Sequence, residues 1–153
     1  MWPDGLCKAS RSVAIDATTG RLTFGDYSLS LRSHRDDLPK VFAQREGVIY
    51  RDGAQWPCVF ATAVHCEHET LFECTLRYEN AQLVHATLCI EPQQFRDLPG
   101  DAFYESVDAR YSYHLAWLRA MGLPGSAYAT VAWGVVGVGR GKSENVFIYW
   151  QAA

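Results

Sequence analysis

The segment that most resembles a reactive motif is glycine-rich and lies near the carboxyl end. Residues 137–143 end in Gly141-Lys142-Ser143, the last three residues of a phosphate-binding loop. That loop also requires a glycine where this chain has Val136, and a helix directly after the motif. Residues 145–150 instead have the composition of a strand, so the sequence favours a glycine-rich hairpin turn over a nucleotide site.

A second group contains the residue types that bind zinc. His65, Cys66 and His68 lie within four positions, and further ligands would have to come from His85 or Cys89 on a neighbouring strand. Adjacent residues of a strand point to opposite faces, and the spacing matches no regular zinc pattern. We therefore interpret these residues as part of a hairpin, and the sequence predicts no metal and no cofactor.

Nucleophilic chemistry is the third possibility. Cys66 or Cys74 would need a histidine or a helix amino end to lower its thiol pKa, and an acid such as Glu73 to complete a triad. The sequence contains no local signature of such a site, so it predicts no catalytic residue. His114 falls on the apolar stripe of a predicted helix, where a hydrogen-bonded core histidine is expected. The cysteines form no Cys-x-x-Cys pair and are expected to be reduced and buried: Cys7, Cys58, Cys66, Cys74 and Cys89.

Composition limits the architecture and the class of partner. With 153 residues, 48% of them hydrophobic and 13% aromatic, the chain has material for one core, so we expect a single domain over residues 1–153 with residues 1–11 loosely held. The formal net charge of −3 lacks the basic excess typical of nucleic-acid binders. The amino terminus has no signal-peptide pattern, and no apolar run approaches the roughly 20 residues of a membrane span. We expect a cytoplasmic protein without nucleic-acid or membrane partners.

Turn signals and alternation predict a mostly antiparallel sheet. Residues 13–16, 21–24 and 27–31 read as three short strands, and a short helix is expected over residues 36–44. Asp52-Gly53 and Glu79-Asn80 mark the turns of a meander. Its buried face is predicted from side chains of one parity on each strand: Cys58, Phe60, Val64, Cys66, Phe72, Cys74, Leu76, Tyr78, Val84, Ala86, Leu88 and Ile90.

A longer helix and a closing hairpin complete the predicted α+β fold. Helical spacing extends over residues 103–121, and Gly122 with Pro124 provides the stop. Residues 128–138 and 145–150 form the hairpin. The sequence thus predicts a twisted antiparallel β-sheet of meander and hairpins, packed against one long and one short helix. The charged side chains of the long helix are expected to face solvent: Glu105, Asp108, Arg110 and Arg119.

The carboxy-terminal third resembles a family of small bacterial proteins. The matching features are the sequence His114-x-x-Trp117-Leu118 after an acidic helix start, then a glycine break and Trp133-Gly134 leading to Ile148-Tyr149. Gly20-Arg21-Leu22 with Gly25 and Leu29 resembles the family's entry hairpin. These features are similar to those of immunity proteins encoded at polymorphic-toxin and type VI secretion loci, and they cover less than half of the chain. The family favours aspartate in the turn where this chain has Arg140, Gly141 and Lys142.

The resemblance implies a non-catalytic module that binds a cognate protein toxin and blocks its active site. Polar side chains on the sheet and helix would then meet a basic toxin surface and steer association. The residues expected to contact the partner are Glu73, Arg77, His85, Glu105, Asp108, Arg140 and Lys142.

Two other interpretations remain open from the residues alone. One is a small enzyme or a ligand- or metal-binding domain that uses the open sheet face, with His65, Cys66 and His85 as its polar groups. The other is a structural subunit whose aromatic hairpin forms a homodimer through Trp133 or Trp150.

Overall fold

The computed structural model describes residues 12–153, and the predicted loose segment 1–11, with Cys7, lies outside that range. Within it the chain forms ten strands and two α-helices. The strands are β1 (Val13–Ile15), β2 (Leu22–Phe24), β3 (Tyr27–Leu29), β4 (Ala43–Arg51), β5 (Ala54–Glu67), β6 (Thr70–Glu79), β7 (Gln82–Glu91), β8 (Ala129–Val131), β9 (Gly134–Arg140) and β10 (Val146–Ala152). The helices are α1 (Gly100–Glu105) and α2 (Val107–Ala120).

Seven strands form one antiparallel sheet in the order β4-β5-β6-β7-β10-β9-β8, and β1 to β3 form a separate small sheet. One row across the large sheet shows where the core lies, because Ala63, Cys74, Leu88 and Ile148 are direct neighbours and each is at most 4% exposed. Buried residues of the small sheet and Leu118 of α2 belong to the same apolar cluster. The predicted α+β class, with a twisted antiparallel sheet against a long and a short helix, is confirmed, but the short helix lies at residues 100–105 and not at the predicted position.

The predicted helix over residues 36–44 is wrong. A single 3-10 turn spans Arg35–Asp37, and the chain is already extended at Leu38 before it enters β4. A residue that precedes proline is disfavoured in the α region, and proline lacks the backbone N–H that a helix needs, so Pro39 ends the helical geometry after one turn. The ring of His34 caps this turn by accepting a hydrogen bond from the Asp36 backbone N–H at 3.1 Å.

The predicted buried face is correct for β6 but wrong for most of β5. Ala61 and Ala63 point into the core, whereas Phe60 is half-buried, and Val64 and Cys66 are exposed. Beneath this part of the sheet the rings of Phe24 and Phe42 pack 5.8 Å apart, centroid to centroid, within the same apolar cluster. Alanines leave room for those rings, so the larger side chains of β5 occupy the opposite face.

A β-bulge changes the burial pattern at the start of β7. The pairing of β6 with β7 shifts between Arg77 and Tyr78, so that Arg77 pairs with His85 while Tyr78 pairs with Leu83. The extra residue, Val84, is half-buried, and Leu83 takes its predicted place in the core. Because a bulge adds one residue to the strand, the positions that point into the core shift by one at that point. Alternation in the sequence alone does not reveal such a shift.

The predicted helix over residues 103–121 is divided in two at Ser106. The Ser106 hydroxyl donates to the Phe103 carbonyl oxygen at 2.7 Å and accepts from Arg110 Nε at 2.9 Å. Serine that bonds back to its own helix bends it, which accounts for the break between α1 and α2. Gly122 follows α2 with φ of 84°, as the predicted glycine stop requires.

Arg110 is buried, contrary to the prediction that it faces solvent. Its guanidinium donates to the carbonyl oxygens of Glu144 at 2.9 Å and Phe103 at 3.0 Å, and it lies 4.1 Å from the centre of the Phe103 ring. Burial lowers the pKa of this guanidinium, but its hydrogen bonds satisfy the charged form. Arg110 thereby ties the helices to the turn between β9 and β10.

The closing hairpin is confirmed, and the glycine-rich segment lies where the hairpin turns. Gly137 and Gly139 belong to β9, and the Gly-Lys-Ser sequence is followed by strand β10 rather than by a helix. Glycine at 137 has a packing reason, because an added Cβ would lie 2.2 Å from the Ala127 carbonyl oxygen. The additional short strand β8, absent from the prediction, pairs along β9 at the sheet edge.

Candidate functional site

The face of the large sheet opposite the core carries a continuous set of polar and aromatic side chains, which we call the open face. Within residues 12–153 no helix or strand packs across it. Its residues follow the alternate positions of β5, β6, β7 and β10: Phe60, Thr62, Val64, Glu73, Thr75, Arg77, His85, Thr87, Cys89, Phe147, Tyr149 and Gln151. It extends onto β4 through Arg45 and Arg51, which pair with Phe60 and Ala54.

At the β4–β5 end of this face, arginines lie on aromatic rings. The guanidinium of Arg45 is 4.5 Å from the centre of the Phe60 ring, and that of Arg51 is 5.2 Å from the Trp56 ring. Both distances are within the range of a cation–π interaction. The stacked rings hold the guanidinium groups in place while Trp56 remains 45% exposed.

One carboxylate connects two arginines across three strands. Glu79 on β6 accepts from Arg51 on β4, with Nη2 3.1 Å from each carboxylate oxygen, and Arg77 Nε lies 3.3 Å from Glu79 Oε2. Arg77 Nε is buried and makes no hydrogen bond, so this ion pair leaves it with a free donor. We call the group of Arg45, Arg51, Trp56, Phe60, Arg77 and Glu79 the arginine–aromatic patch. Three arginines against one glutamate make it locally positive on a chain whose net charge is −3.

A neutral aromatic pair borders the patch. His85, opposite Arg77 in the sheet, stacks on Tyr149 with ring centres 6.2 Å apart and 15° between the planes. Its Nδ1 is 3.1 Å from Gln151 Oε1. Burial lowers the pKa of His85, and the positive charge of Arg77 lowers it further against the opposing effect of the Gln151 hydrogen bond. At neutral pH this ring is therefore uncharged.

The structure divides the predicted partner-binding residues into two groups. Glu73, Arg77 and His85 lie together on the open face, with Glu73 exposed beyond the threonine pair Thr62 and Thr75, whose hydroxyls are 3.3 Å apart. The other group lies around the start of α2 and the closing turn. Its members are the exposed residues Glu105, Asp108, Arg140 and Lys142.

Within the second group, Arg140 holds Asp108 at 3.6 Å and Glu144 at 2.9 Å. These contacts join α2 to the turn before β10. They raise the pKa of Arg140, chiefly through the hydrogen bond with Glu144. The Asp108 side chain is 91% exposed and that of Arg140 44%, so solvent screens this ion pair strongly and the group is a weaker candidate for a preorganised surface than the open face.

The cluster of His65, Cys66 and His85, which the alternative enzyme or ligand-binding interpretation requires, does not form. His65 pairs with Phe72 on the core face and packs 5.8 Å from the Phe24 ring, whereas His85 lies on the open face. Cys66 is exposed and points away from His65. The side-chain alternation of the strand separates these groups as the sequence spacing indicated.

His65 instead contacts the described start of the chain. Its Nε2 is 2.8 Å from the Ser12 hydroxyl, and both the hydroxyl and the backbone N–H of Ser12 donate to the Glu67 carboxylate. The Ser12 hydroxyl thus lies between the His65 ring and the Glu67 carboxylate. We interpret these hydrogen bonds as structural contacts that hold Ser12 against β5.

The four described cysteines are free, and two of them, Cys74 and Cys89, are poorly suited to thiolate chemistry. Burial raises the pKa of Cys89 to about 12, with Glu91 and Glu73 adding to the effect, and burial also raises that of Cys74. Across residues 12–153, no three His, Cys, Asp or Glu side chains are arranged to hold a metal ion.

Sequence reasoning missed five members of the patch: Arg45, Arg51, Trp56, Phe60 and Glu79. The sequence does contain a signal for the first stacked pair. The Asp52-Gly53 turn fixes the β4–β5 register and thereby places Arg45 directly opposite Phe60. Extending the hairpin back from that turn would have found the first stacked pair. The incorrect helix over residues 36–44 hid it, since that helix occupied the start of β4.

Comparison with known proteins yields no match to a family model, to a curated protein or to a solved structure. Between residues 12 and 153, neither helix has the length and apolar character needed to cross a bilayer.

Proposed function

We propose that this protein is a non-catalytic, cytoplasmic protein-binding module, an immunity protein that neutralises a cognate bacterial toxin by occlusion. The observation that supports this function best is the arginine–aromatic patch on the open face. Tryptophan and arginine are enriched at the energetic centres of protein interfaces. Their presence on the strands of a rigid sheet reduces the entropy lost when a partner binds.

The charge of the patch indicates the kind of surface it would bind. From sequence, a basic toxin surface was expected, but the structure groups three arginines with one glutamate around exposed Trp56. A partner with carboxylates around an apolar centre would pair with the guanidinium groups and cover the indole ring. Neutral His85 and Tyr149 would extend the contact without adding charge.

Occlusion requires affinity and coverage of the toxin's active site, and the immunity protein itself contributes no chemistry. A flat sheet face with fixed side chains suits this task because it covers a broad area with little rearrangement. The identification of the partner as a toxin depends on the resemblance of the carboxy-terminal third to immunity proteins, and the surface alone supports protein binding in general.

The test is growth of a bacterial host that expresses the product of the gene adjacent to this one. We expect that product alone to arrest growth and co-expression of this chain to restore it, with the two proteins co-purifying in a fixed ratio. Restored growth without a stable complex would contradict occlusion. An adjacent product that is harmless, together with a small molecule or metal bound to this chain, would overturn the proposal.

A further inference from the structure

The outer edge of strand β4 is the second surface of interest, and it differs from the open face. β4 is the terminal strand of the large sheet, and no other strand within residues 12–153 pairs with its outer side. It has nine residues, against about five or six for an average strand. An unpaired strand of this length offers a row of backbone N–H and C=O groups to another strand.

β4 carries the charged residues Arg45, Glu46 and Arg51 but lacks two other devices that protect an edge strand. It contains no proline, and its pairing with β5 runs from Ala43 to Arg51 without a bulge. The opposite edge strand, β8, has only three residues, and the chain before it continues alongside β9 through a hydrogen bond from the Val138 N–H to the Ser126 oxygen. The β8 edge is therefore short, with chain continuing beside β9, whereas the β4 edge is long and regular.

One antiparallel register of two β4 strands pairs them over their full length without opposing like charges. Gly47 is the central residue of the nine, so a two-fold axis through it pairs two copies over their whole length. In that register Val48 faces Glu46 of the other copy, and Ile49 faces Arg45. Shifting the centre to Glu46 would oppose two glutamates, and shifting it to Val48 would oppose Arg45 to Arg51, both of which are unfavourable.

The same register provides a place for the most exposed large side chain of the strand. Tyr50 is 71% exposed and would lie opposite Gln44 of the other copy, on the same side of β4 as Glu46 and Val48. That side borders an open cavity of about 650 Å³ whose lining includes Arg35, Glu46, Val48 and Tyr78. Arg35 Nε already donates to Gln44 Oε1 at 2.9 Å, so the incoming tyrosine would reach both the cavity and a guanidinium.

We infer that β4 is a strand-addition site for a second copy of this chain, paired antiparallel about Gly47. The two large sheets then form one continuous sheet, and the two-fold axis keeps both open faces on the same side. Because a strand pair buries less area than a standard interface, we expect a dimer in the micromolar range. This inference does not depend on the proposed function, although it would place two arginine–aromatic patches side by side.

The experiment is sedimentation velocity of the full chain at about 1 to 100 µM, the range over which a micromolar dimer dissociates. Wild type should shift from monomer to dimer. Val48→Glu places a carboxylate opposite Glu46 at two symmetric positions and should weaken the dimer by at least about tenfold. Glu46→Lys alone should keep the dimer, and the double variant Val48→Glu/Glu46→Lys should restore it, because each new carboxylate then faces a lysine. Urea unfolding of each variant checks that β4 still folds.

Several outcomes would overturn the inference. Wild type that remains monomeric at the highest concentration excludes the dimer, and a dimer unaffected by Val48→Glu excludes β4 as its site. Failure of the double variant to restore association excludes the register about Gly47. If wild type is monomeric and Val48→Glu abolishes growth rescue by the adjacent gene product, the edge binds a strand of the toxin instead.

Discussion

The two ends of the large sheet use the same residue types for different purposes. At the closing end, strands β8 to β10 and α2 bury Trp150 completely and hold His114 at 1% exposure. At the meander end, the β4–β5 hairpin leaves Trp56 and Tyr50 largely in solvent and its outer edge unpaired. Aromatic content alone therefore does not locate a core. We expect the closing end to contribute most of the stability, and the meander end to provide the surface for recognition.

The largest expected contrast is between two tryptophans. Trp150→Ala should lower the free energy of unfolding by about 3–5 kcal/mol, because it leaves a cavity in a closed core. Trp56→Ala should change it by less than about 1 kcal/mol, since the indole is already 45% exposed. Urea unfolding followed by fluorescence measures both. Equal losses would mean that the meander end is as tightly packed as the closing end.

Gly137 at the closing end and Gly53 at the meander end are required for different reasons. Gly137→Ala forces a Cβ to 2.2 Å from the Ala127 carbonyl oxygen and should cost about 2–3 kcal/mol. Gly53→Ala meets no atom within 4 Å, but its φ of 77° should cost about 1–2 kcal/mol. Thermal unfolding of the two variants ranks them. A larger loss for Gly53→Ala would contradict the packing account of the closing end.

Two arginines give a third contrast. Arg110→Met keeps most of the side-chain volume but removes the hydrogen bonds to Glu144 and Phe103, and should cost about 2 kcal/mol. Arg51→Met removes a partly exposed ion pair with Glu79, which keeps its contact with Arg77, and should cost less than about 1 kcal/mol. The same urea titrations measure both. An Arg110→Met variant as stable as wild type would show that the buried guanidinium is not a structural tie.

The smallest expected effect is the pH dependence of the closing end. His114 accepts from the Ile90 backbone N–H at 3.1 Å and lies 2.7 Å from the Arg110 carbonyl oxygen, which fixes a neutral ring. Burial lowers the pKa of His114, so its stabilising contribution is present above the unfolded-state value of about 6.5 and is lost as the pH falls.

The free energy of unfolding should therefore decrease below about pH 6.5, with a limiting slope of about 1.4 kcal/mol per pH unit for each such group. His85 contributes in the same direction, because its pKa is also lowered. Urea titrations from pH 5 to 8 measure the slope, which His114→Gln should reduce. If the variant and wild type had identical slopes, His114 would not be a source of the acid sensitivity.

Alternation and turn chemistry predicted most of the sheet. The Asp52-Gly53 and Glu79-Asn80 turns located four hairpin strands, and Phe72, Cys74 and Leu76 were assigned to the correct face. Alternation failed where a non-local contact decides the side. Ala61 and Ala63 face the core, where the rings of Phe24 from the small sheet and Phe42 before β4 belong to the same apolar cluster, and no local pattern in β5 contains that information.

The candidate site was predicted only in part for a related reason. Arg77 and His85 were found because they occupy polar positions on strands whose parity was clear. Arg110 was wrongly assigned to solvent, because its partners are backbone carbonyls at residues 103 and 144, the second of which is distant in sequence. A charged side chain needs hydrogen-bond partners, but the sequence does not show whether those partners are water molecules or backbone groups.

If the meander end of the open face is the recognition surface, matched arginine variants should differ in their ability to restore growth. Arg77→Ala should abolish growth rescue against the adjacent gene product while the free energy of unfolding changes by less than about 1 kcal/mol. Arg21→Ala, on the exposed part of the small sheet where Arg21 Nε donates to Ser28, should leave rescue intact. Full rescue by Arg77→Ala, with loss of rescue in Arg140→Ala instead, would contradict the account and assign recognition to the closing turn.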